Sequence, residues 1–528
     1  WKLPKGHDTG IKVKNSYGCL RQQKALAPLI VADPKHVTWY ACGPTVYDKT
    51  HIGHASSYIR FDTIRRILTN YFGLTISMVM GITNIDDKII TRANLLNKEF
   101  LSMAEHYENE FKTDLLNLNI LPPIAYVRVS EIVPELLSFI YRLLEQRHAY
   151  VSKQGNVWFD VDQFTKVGKL VPIHQEWKES DSGGEKRCAR DFALWKAAKP
   201  GEPYWEAPWG KGRPGWHLEC STIASLYFGK QIDIHSGASD LEFPHHESEI
   251  LQSEAFHCEE QWANYFLHSG LLKFGKSKMS KSLGNVVNVD EALKRHSPDV
   301  LRYLCLSTAW HTNLSYTSKD IKHVKASIQL LKTFLSKCQQ YVQGNIETKN
   351  FDSAAIYHSL DTCKSEVYVC MCNDFDTPGV LRALKQLCYS VEKTFGEQIV
   401  VENWEPGNHV RNTKPFVEVM TYVTETFTNL GFQSISAAHT DSNPDITAKG
   451  QDDILEELLK FRAKVRKLAM SSNKTSDDGL KQLLFKECDY LRNELSNKGI
   501  SIKDWNNKPH ISERYNPSSR KQFRSDRQ

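Results

Sequence analysis

Residues 37–54 read VTWYACGPTVYDKTHIGH, and the change of period within this stretch decides the fold. Val37 to Cys42 is a short apolar run stopped by Gly43-Pro44, a strand ending at a turn. From His54 the spacing changes: Tyr58, Phe61, Ile64, Leu68 and Tyr71 recur at three- and four-residue steps, one face of a helix. Gly73 ends that helix, and Thr75 to Ile82 (TISMVMGI) is strand-like again. Strand, loop, helix and strand within about 45 residues make a βαβ unit, whose parallel strands put their loops at the carboxyl edge. Cys42, His51 and His54 all fall at that edge.

Outward from this unit, helical patterns are predicted at 100–118 and 131–149, followed by a short strand from Gly155 to Val161. Residues 165–215 are rich in Gly, Pro, Trp and charge and read as an irregular insertion. Strand signals return at Gln231 to His235 and at Asn264 to His268, with a helix between them opening near His245. After Lys281 helices dominate to about Leu430, and Ser434 to Gly450 is polar and aperiodic, a linker. Two amphipathic helices are expected at Asp452–Met470 and Leu480–Ser496, and the tail after Trp505 holds six Lys/Arg against two acids.

Bulk composition narrows the class. A chain of 528 residues is too long for one core, so several domains are expected. A net charge of +5 makes any nucleic-acid footprint a local matter. No apolar run approaches the roughly 18–20 residues of a membrane span. The longest, Leu136 to Leu144, is broken by Ser138 and Arg142. Twelve irregularly spaced cysteines do not make a secreted disulfide scaffold and point to a reducing compartment. The chain starts at Trp1, so a leader removed upstream is expected, and its first residues have no apolar centre of the secretory kind.

Three elements carry chemistry. The first is His51-Ile52-Gly53-His54 at the start of a helix, where free N–H groups and the helix dipole attract phosphate. Gly53 lets a flat ring approach the backbone, and His51 and His54 can donate to phosphoryl oxygens; taken alone, they are equally two surface histidines framing a glycine. The second is Lys278-Met279-Ser280-Lys281-Ser282, flanked by glycines and read as a mobile loop. Two lysines three apart can reach a triphosphate and stabilise charge that develops during nucleotidyl transfer. A solvated charge run is the bland alternative, but the pair of motifs in this order is that of class I aminoacyl-tRNA synthetases. The third comprises Cys220 in RPGWHLEC, and His245 and Glu249 in LEFPHHESEI. The last two are four apart and share a helix face. With Cys42 they make two thiolates, an imidazole and a carboxylate, which suits Zn²⁺. Each residue separately is as readily a buried cysteine or a capping carboxylate. His246 points about 100° away around the helix and stands behind the set. HHESE is not HExxH, so a zinc-protease reading has little support.

Joined in this order, YACGPTVYDKTHIGH, TNIDDKII, ARDFALWKAAKPGEP, RPGWHLECS, DIHSGASDLEFPHHESEI and KMSKSLGN closely resemble the cysteinyl-tRNA synthetase family, of its compact bacterial and organellar type. The resemblance runs from about residue 37 to 435 and more weakly over 452–505. It implies zinc on Cys42, Cys220, His245 and Glu249, one ion per chain, with the substrate thiol joining it. It also implies nucleotide held by His51, Gly53 and His54, and phosphate contacts by Lys278 and Lys281. Cysteine contacts are implied at Gly43, Thr83, Trp216, His235 and Asp240. ATP would arrive with Mg²⁺, and the partners would be L-cysteine, ATP and tRNA(Cys), with no membrane. The family has been linked to pyridoxal-phosphate-dependent cysteine persulfide formation through a KIIK element and the lysines of KMSKS, here Lys278 and Lys281. That element begins here at Lys88, and Thr91 replaces its second lysine, which counts against that half of the activity. Ala238 and Ser248 stand where many members have Gly and Asn.

The expected architecture is α/β: a Rossmann-type, doubly wound parallel-sheet catalytic domain with an insertion, then an α-helical bundle and small C-terminal tRNA-binding domains. The expected boundaries are an N-terminal extension over 1–36 and a catalytic domain over 37–285 with its insertion at about 100–215. A stem-contact region and bundle follow over 286–433, then a linker over 434–450. Anticodon-binding helices and a basic tail complete the chain over 451–528. The last part concentrates Arg462, Lys464, Arg466 and Lys467, then Arg514, Arg520, Lys521, Arg524 and Arg527. Two rivals share the motifs: a cysteine ligase of the mycothiol-synthesis type, which has no need of the helical C-terminal third, and an inactive RNA-binding relative. The expected compartment is the mitochondrial matrix, with the bacterial cytoplasm as the alternative.

Overall fold

The structure, a computed structural model, describes residues 1–18, 20, 25–164, 167–172, 184–274, 277–278, 286–346, 351–395, 412–435, 462, 465, 478–497, 500–505 and 508–514. Its first unit takes in Trp1–Ala326, Ser359–Leu387 and Thr426–Gln433. The N-terminal extension forms a hairpin, β1 (His7–Val13) and β2 (Ala27–Val31), with His7 opposite Val31. The predicted βαβ unit follows as β3 (His36–Ala41), α1 (Ile52–Asn70) and β4 (Thr75–Ile82). Next come α2 (Asp87–Leu96), α3 (Phe100–Asn117), β5 (Ala125–Arg128) and α4 (Val133–Glu145). β6 (Ala149–Val151), β7 (Val157–Phe159), β8 (Phe192–Ala197) and β9 (Gly212–Pro214) form an antiparallel sheet inserted before α5 (Trp216–Phe228). β10 (Ile232–Ala238), α6 (Glu247–His257) and β11 (Ala263–Ser269) complete the central sheet.

That sheet is parallel throughout, in the order β11-β10-β3-β4-β5. The chain winds one way from β3 and the other way from β10, so these neighbours flank a topological switch point, where open α/β sheets form clefts at the carboxyl ends of their strands. The period-two alternation of β3 sorts its side chains. Trp39 faces α1, its ring 6.3 Å from Phe61. Tyr40 and Cys42 face the other layer, a core shared with Phe139 of α4, Ile223 of α5 and Leu251 of α6. Edge strand β11 is covered by the N-terminal segment: the Tyr17 hydroxyl donates to the Ala263 carbonyl at 2.7 Å and the Ser16 N–H to that of Phe266 at 3.0 Å. A bare parallel edge would invite pairing with other chains.

The insertion is more regular than its composition predicts. Glycines that read as loop markers are sites of close strand approach: a Cβ on Gly212 would lie 2.3 Å from the Lys196 carbonyl, and one on Gly215 2.0 Å from that of Ala193. α2, α5 and β5 also escape the sequence reading; α5 is buried nearly all round, polar Glu219, Ser221 and Thr222 included, so it shows no apolar stripe.

Beyond β11 the unit continues with β12 (Leu272–Phe274), β13 (Ser277–Lys278), α7 (Val289–Arg295), α8 (Pro298–Leu306) and β14 (Leu314–Ser315). The helices expected up to Leu430 follow as α9 (Ser318–Val342), α10 (Ser353–Cys372), α11 (Thr377–Glu392) and α12 (Lys414–Asn429). The second unit is Ser327–His358, Cys388–Glu425 and Ser434–Gln528. It holds an aromatic cluster in which Tyr341, Phe351 and Phe395 lie within 4.6–5.0 Å of the Phe416 ring. α13 (Asp478–Asn497) matches the second predicted amphipathic helix, and β15 (Ile500–Trp505) pairs with β16 (Lys508–Arg514) where a tail was expected. Nearly all of the predicted linker and most of the helix at 452–470 lie outside the described residues. Arg462 is a correction: it is 1% exposed and its Nε donates to the Cys488 carbonyl at 3.0 Å, so it builds the core and is not a surface cation. No described helix is long and apolar enough to cross a membrane.

Candidate active site

Cys42 follows β3 at the switch point and is held there by its N–H, which donates to the Ser236 carbonyl of β10 at 3.1 Å. Cys220 comes from the second turn of α5. His245 sits in a short helical turn, Glu242–His246, that runs into α6, and Glu249 lies in the first turn of α6 itself. The four ligand atoms converge. Cys42 Sγ is 3.6 Å from Cys220 Sγ, Cys220 Sγ is 3.3 Å from His245 Nε2, His245 Nε2 is 3.0 Å from Glu249 Oε1, and Glu249 Oε1 is 3.8 Å from Cys42 Sγ. Tetrahedral zinc with its usual sulfur, nitrogen and oxygen bond lengths asks for ligand atoms about 3.3–3.8 Å apart, a range that holds three of these spacings, with the His245–Glu249 pair slightly closer. The donors therefore fit such an ion in both chemistry and spacing. Burial pushes the Cys42 thiol and the Glu249 carboxyl up and the His245 imidazole down, so the cluster favours uncharged forms. A bound divalent cation reverses that logic for the thiols and the carboxyl.

Each of three donors has a partner behind it, buried for His246 and His235 and half-buried for His217. His246 Nε2 lies 3.3 Å from Cys42 Sγ, and its Nδ1 lies 2.6 Å from His268 Nε2. His235 Nε2 is 2.7 Å from Glu249 Oε2, and His217 Nδ1 is 2.9 Å from His245 Nδ1. Partners of this kind fix ring orientation and ligand basicity at metal sites. Cys42, His235, His246 and Glu249 are also close enough to form a second donor set. Burial pushes the His235 and His217 imidazoles down to about 3, so both are neutral at physiological pH.

A cavity of about 240 Å³ opens beside the cluster and is lined by Gly43, His54, Thr83, Trp216, Asp240 and Glu219, among others. The Trp216 ring stacks on His245 at 4.2 Å. The Thr83 hydroxyl donates to Glu219 at 2.7 Å, and burial pushes the Glu219 carboxyl up. Gly43 has no room for a side chain, since a Cβ there would lie 1.9 Å from the Gly81 carbonyl. Sequence reasoning missed Glu219, His217 and His268. The first two flank Cys220 in WHLEC, and the spacing of His217, one turn before Cys220, was the available signal. His268 ends its strand with no local cue.

At α1, His51 is the N-cap and its ring stacks on that of His54 at 3.7 Å. The expectation of several free N–H groups there needs correcting. The Ile52 N–H donates to the Val287 carbonyl at 2.9 Å and the His54 N–H meets His51 Nδ1 at 3.3 Å. Gly53 keeps the N–H of that turn with no bond among the described residues. Lys278 lies in β13, paired with Lys273, and Lys281 lies outside the described residues.

Residues 29–326 match the model for the catalytic domain of class I (C) tRNA synthetases. A Xenopus tropicalis protein named "Probable cysteine--tRNA ligase, mitochondrial" is 40% identical over 96% of this chain and 90% of its own length. A cysteine--tRNA ligase of Thermococcus gammatolerans is 37% identical over 92% of this chain and 95% of its own. Among solved structures, Mycobacterium tuberculosis methionyl-tRNA synthetase with methionyl-adenylate superposes with a TM-score of 0.54 at 14% identity, over 75% of this chain and 90% of that one, a likeness of fold. With a family model over more than half its length and such relatives over nearly all of it, this chain belongs to the cysteine--tRNA ligases of class I.

Proposed function

We propose that the chain joins L-cysteine to ATP as cysteinyl-adenylate and then passes cysteine to tRNA(Cys). In the first step the cysteine carboxylate attacks the α-phosphorus and pyrophosphate leaves; in the second the terminal ribose hydroxyl of the tRNA attacks the carbonyl and AMP leaves. The observation that carries the reading is the convergence of Cys42, Cys220, His245 and Glu249 on one wall of a cavity whose lining also includes His54. We assign those four residues to one zinc ion. When bound, zinc takes a soft thiol as thiolate and has little use for the hard hydroxyl of serine, a preference suited to the roughly 10⁴–10⁵ discrimination that synthetases need.

The chain's own residues position and neutralise. Asp240 faces the cavity as the carboxylate to hold the substrate ammonium, while Trp216 and Thr83 line it beside the cluster. His235 orients Glu249. His51, Gly53, His54 and the dipole of α1 hold the phosphates, Mg²⁺ accompanies ATP, and Lys278 and Lys281 stabilise the departing pyrophosphate. Catalysis is then mostly positioning and charge stabilisation. The first 36 residues, the helical region and the part after 450 are read as extension, tRNA-contacting bundle and anticodon reader. The name of the Xenopus relative supports a mitochondrial location. A pyridoxal-dependent persulfide activity would rest on Lys88, which lines the cavity, together with Lys278 and Lys281, because Thr91 brings no amine. Cysteine-dependent ATP–pyrophosphate exchange, measured with tRNA charging and zinc content, tests the reading. Full exchange from a metal-free preparation, or exchange equally supported by serine, would sink it.

A further inference from the structure

Arg60 stands on α1 six residues beyond His54 and is 2% exposed. It forms no ion pair with a carboxylate among the described residues. Its Nη1 donates to the Gly270 carbonyl at 2.7 Å, its Nη2 to the Thr308 hydroxyl at 3.1 Å, and its Nε meets no acceptor. Burying an unpaired cation is costly, and a methionine would fill the space without that penalty. What the guanidinium adds is two directed bonds.

Those bonds fix a corner. Gly270 joins β11 to β12; its N–H donates to the Trp310 carbonyl at 3.1 Å, and a Cβ there would lie 2.0 Å from the Thr312 carbonyl. Next to it, the Ser269 hydroxyl donates to Ser57 of α1 at 2.7 Å. From this corner the chain runs through β12 and β13, the strand of Lys278. On the far side of the lysine motif, the Ile52 N–H donates to the Val287 carbonyl at 2.9 Å and the Val289 N–H to that of Thr50 at 3.0 Å. The helix that opens with His51 and His54 is thus bonded to both flanks of the stretch that carries Lys278 and Lys281.

We propose that Arg60 is a positioning residue for amino-acid activation, setting the place of the Gly270 corner, and with it β12 and β13, the strand of Lys278, relative to the amino end of α1. The proposal rests on the phosphate-handling roles assigned above to the two motifs. Arg60→Met, Arg60→Lys and Thr308→Val are compared with the full wild-type chain in cysteine-dependent ATP–pyrophosphate exchange. Rates are scaled to the active-site concentration from single-turnover adenylate formation, with zinc content and thermal unfolding measured alongside. Since a misplacement of about 1 Å can cost about a hundredfold, Arg60→Met is expected to lower kcat about ten- to a hundredfold. The KM for cysteine and the zinc per chain should stay unchanged. Arg60→Lys, which keeps the charge and loses the fork, should fall between. A purely structural role would lower the melting point and the active fraction while leaving kcat per active site alone. That result overturns the proposal, as does a cysteine KM that rises in step with the fall in kcat. If Arg60→Met does not fold, Thr308→Val decides: a loss of about threefold or more in kcat supports the proposal, as expected when one of the two bonds from the guanidinium goes, and an unchanged kcat ends it. Wild-type protein without cysteine-dependent exchange would sink the motif assignment and the proposal together; wild-type exchange with an unaffected Arg60→Met sinks the proposal alone.

Discussion

Cys220 Sγ lies 3.6 Å from one proposed ligand atom and 3.3 Å from another, so a serine in its place keeps the volume and loses the soft donor. Cys220→Ser should therefore lower zinc content and cysteine activation together, the activation by about a hundredfold or more if one metal-held contact to the substrate goes. Metal analysis of the purified variant beside exchange kinetics checks this, and a variant that keeps its zinc but loses activity would contradict it. Asp87 offers a pH-dependent case away from that cluster. Burial alone would raise its carboxyl, but hydrogen bonds and charge from Lys196 and Arg213 prevail and hold it at about 2. The folded pKa is depressed, so its stabilisation is present above the unfolded value near 3.9 and fades as pH falls towards about 2. Asp87→Asn should destabilise by about 1 kcal/mol at pH 7, after discounting a half-exposed pair for solvent screening. Urea unfolding from pH 7 to pH 3 should show the gap between variant and wild type closing only below about pH 4. The four residues that converge could be singled out from sequence because each lies inside a distinctive local string. Glu219 and His268 could not, since what singles them out is a neighbour more than a hundred residues away or on an adjoining element.

At the scale of one element, α1 is more than the carrier of His51 and His54. Asp62, fully buried, accepts from Arg66 Nε at 2.9 Å and Arg302 Nη1 at 2.6 Å, and its other oxygen accepts the Leu121 N–H at 2.9 Å. Arg302 in turn donates to the carbonyls of Leu118, Asn119 and Leu430. One carboxylate thus anchors α8, the end of α3 and the turn after α12 to α1. Asp62→Ala would leave a guanidinium buried and uncompensated, which should cost about 3–5 kcal/mol in equilibrium unfolding. Adding Arg302→Met should cost much less than the sum of the two single changes, as a double-mutant cycle would show. The amphipathic face of α1 was legible as periodicity. Asp62 and Arg302 were not, because charged residues at buried positions break the very pattern that identifies a helix.

For the whole molecule, the central parallel sheet followed from one βαβ unit read at residues 37–82, whereas the antiparallel sheet of the insertion was hidden by short strands and glycines. The part beyond Gly450 tests the proposed division of labour. Deleting residues 451–528 should leave cysteine-dependent exchange within about twofold while tRNA charging collapses, and charging by the full chain should weaken steeply with salt. Charging that survives the deletion at ordinary salt would show that the tRNA is read elsewhere. Truncation suits this test better than substitution of single basic residues, since Arg462 at least has a core role. The wide separation in sequence of the proposed zinc donors also has a meaning in time. Cys42 and Glu249 meet across 207 positions. At the usual pace of synthesis, about 5–20 residues per second, the first thiol leaves the ribosome some 10–40 s before the carboxylate it will face. Through most of that interval the nascent chain carries the thiol without any of these partners, and the full donor set proposed for zinc exists only once nearly half of the polypeptide has been made.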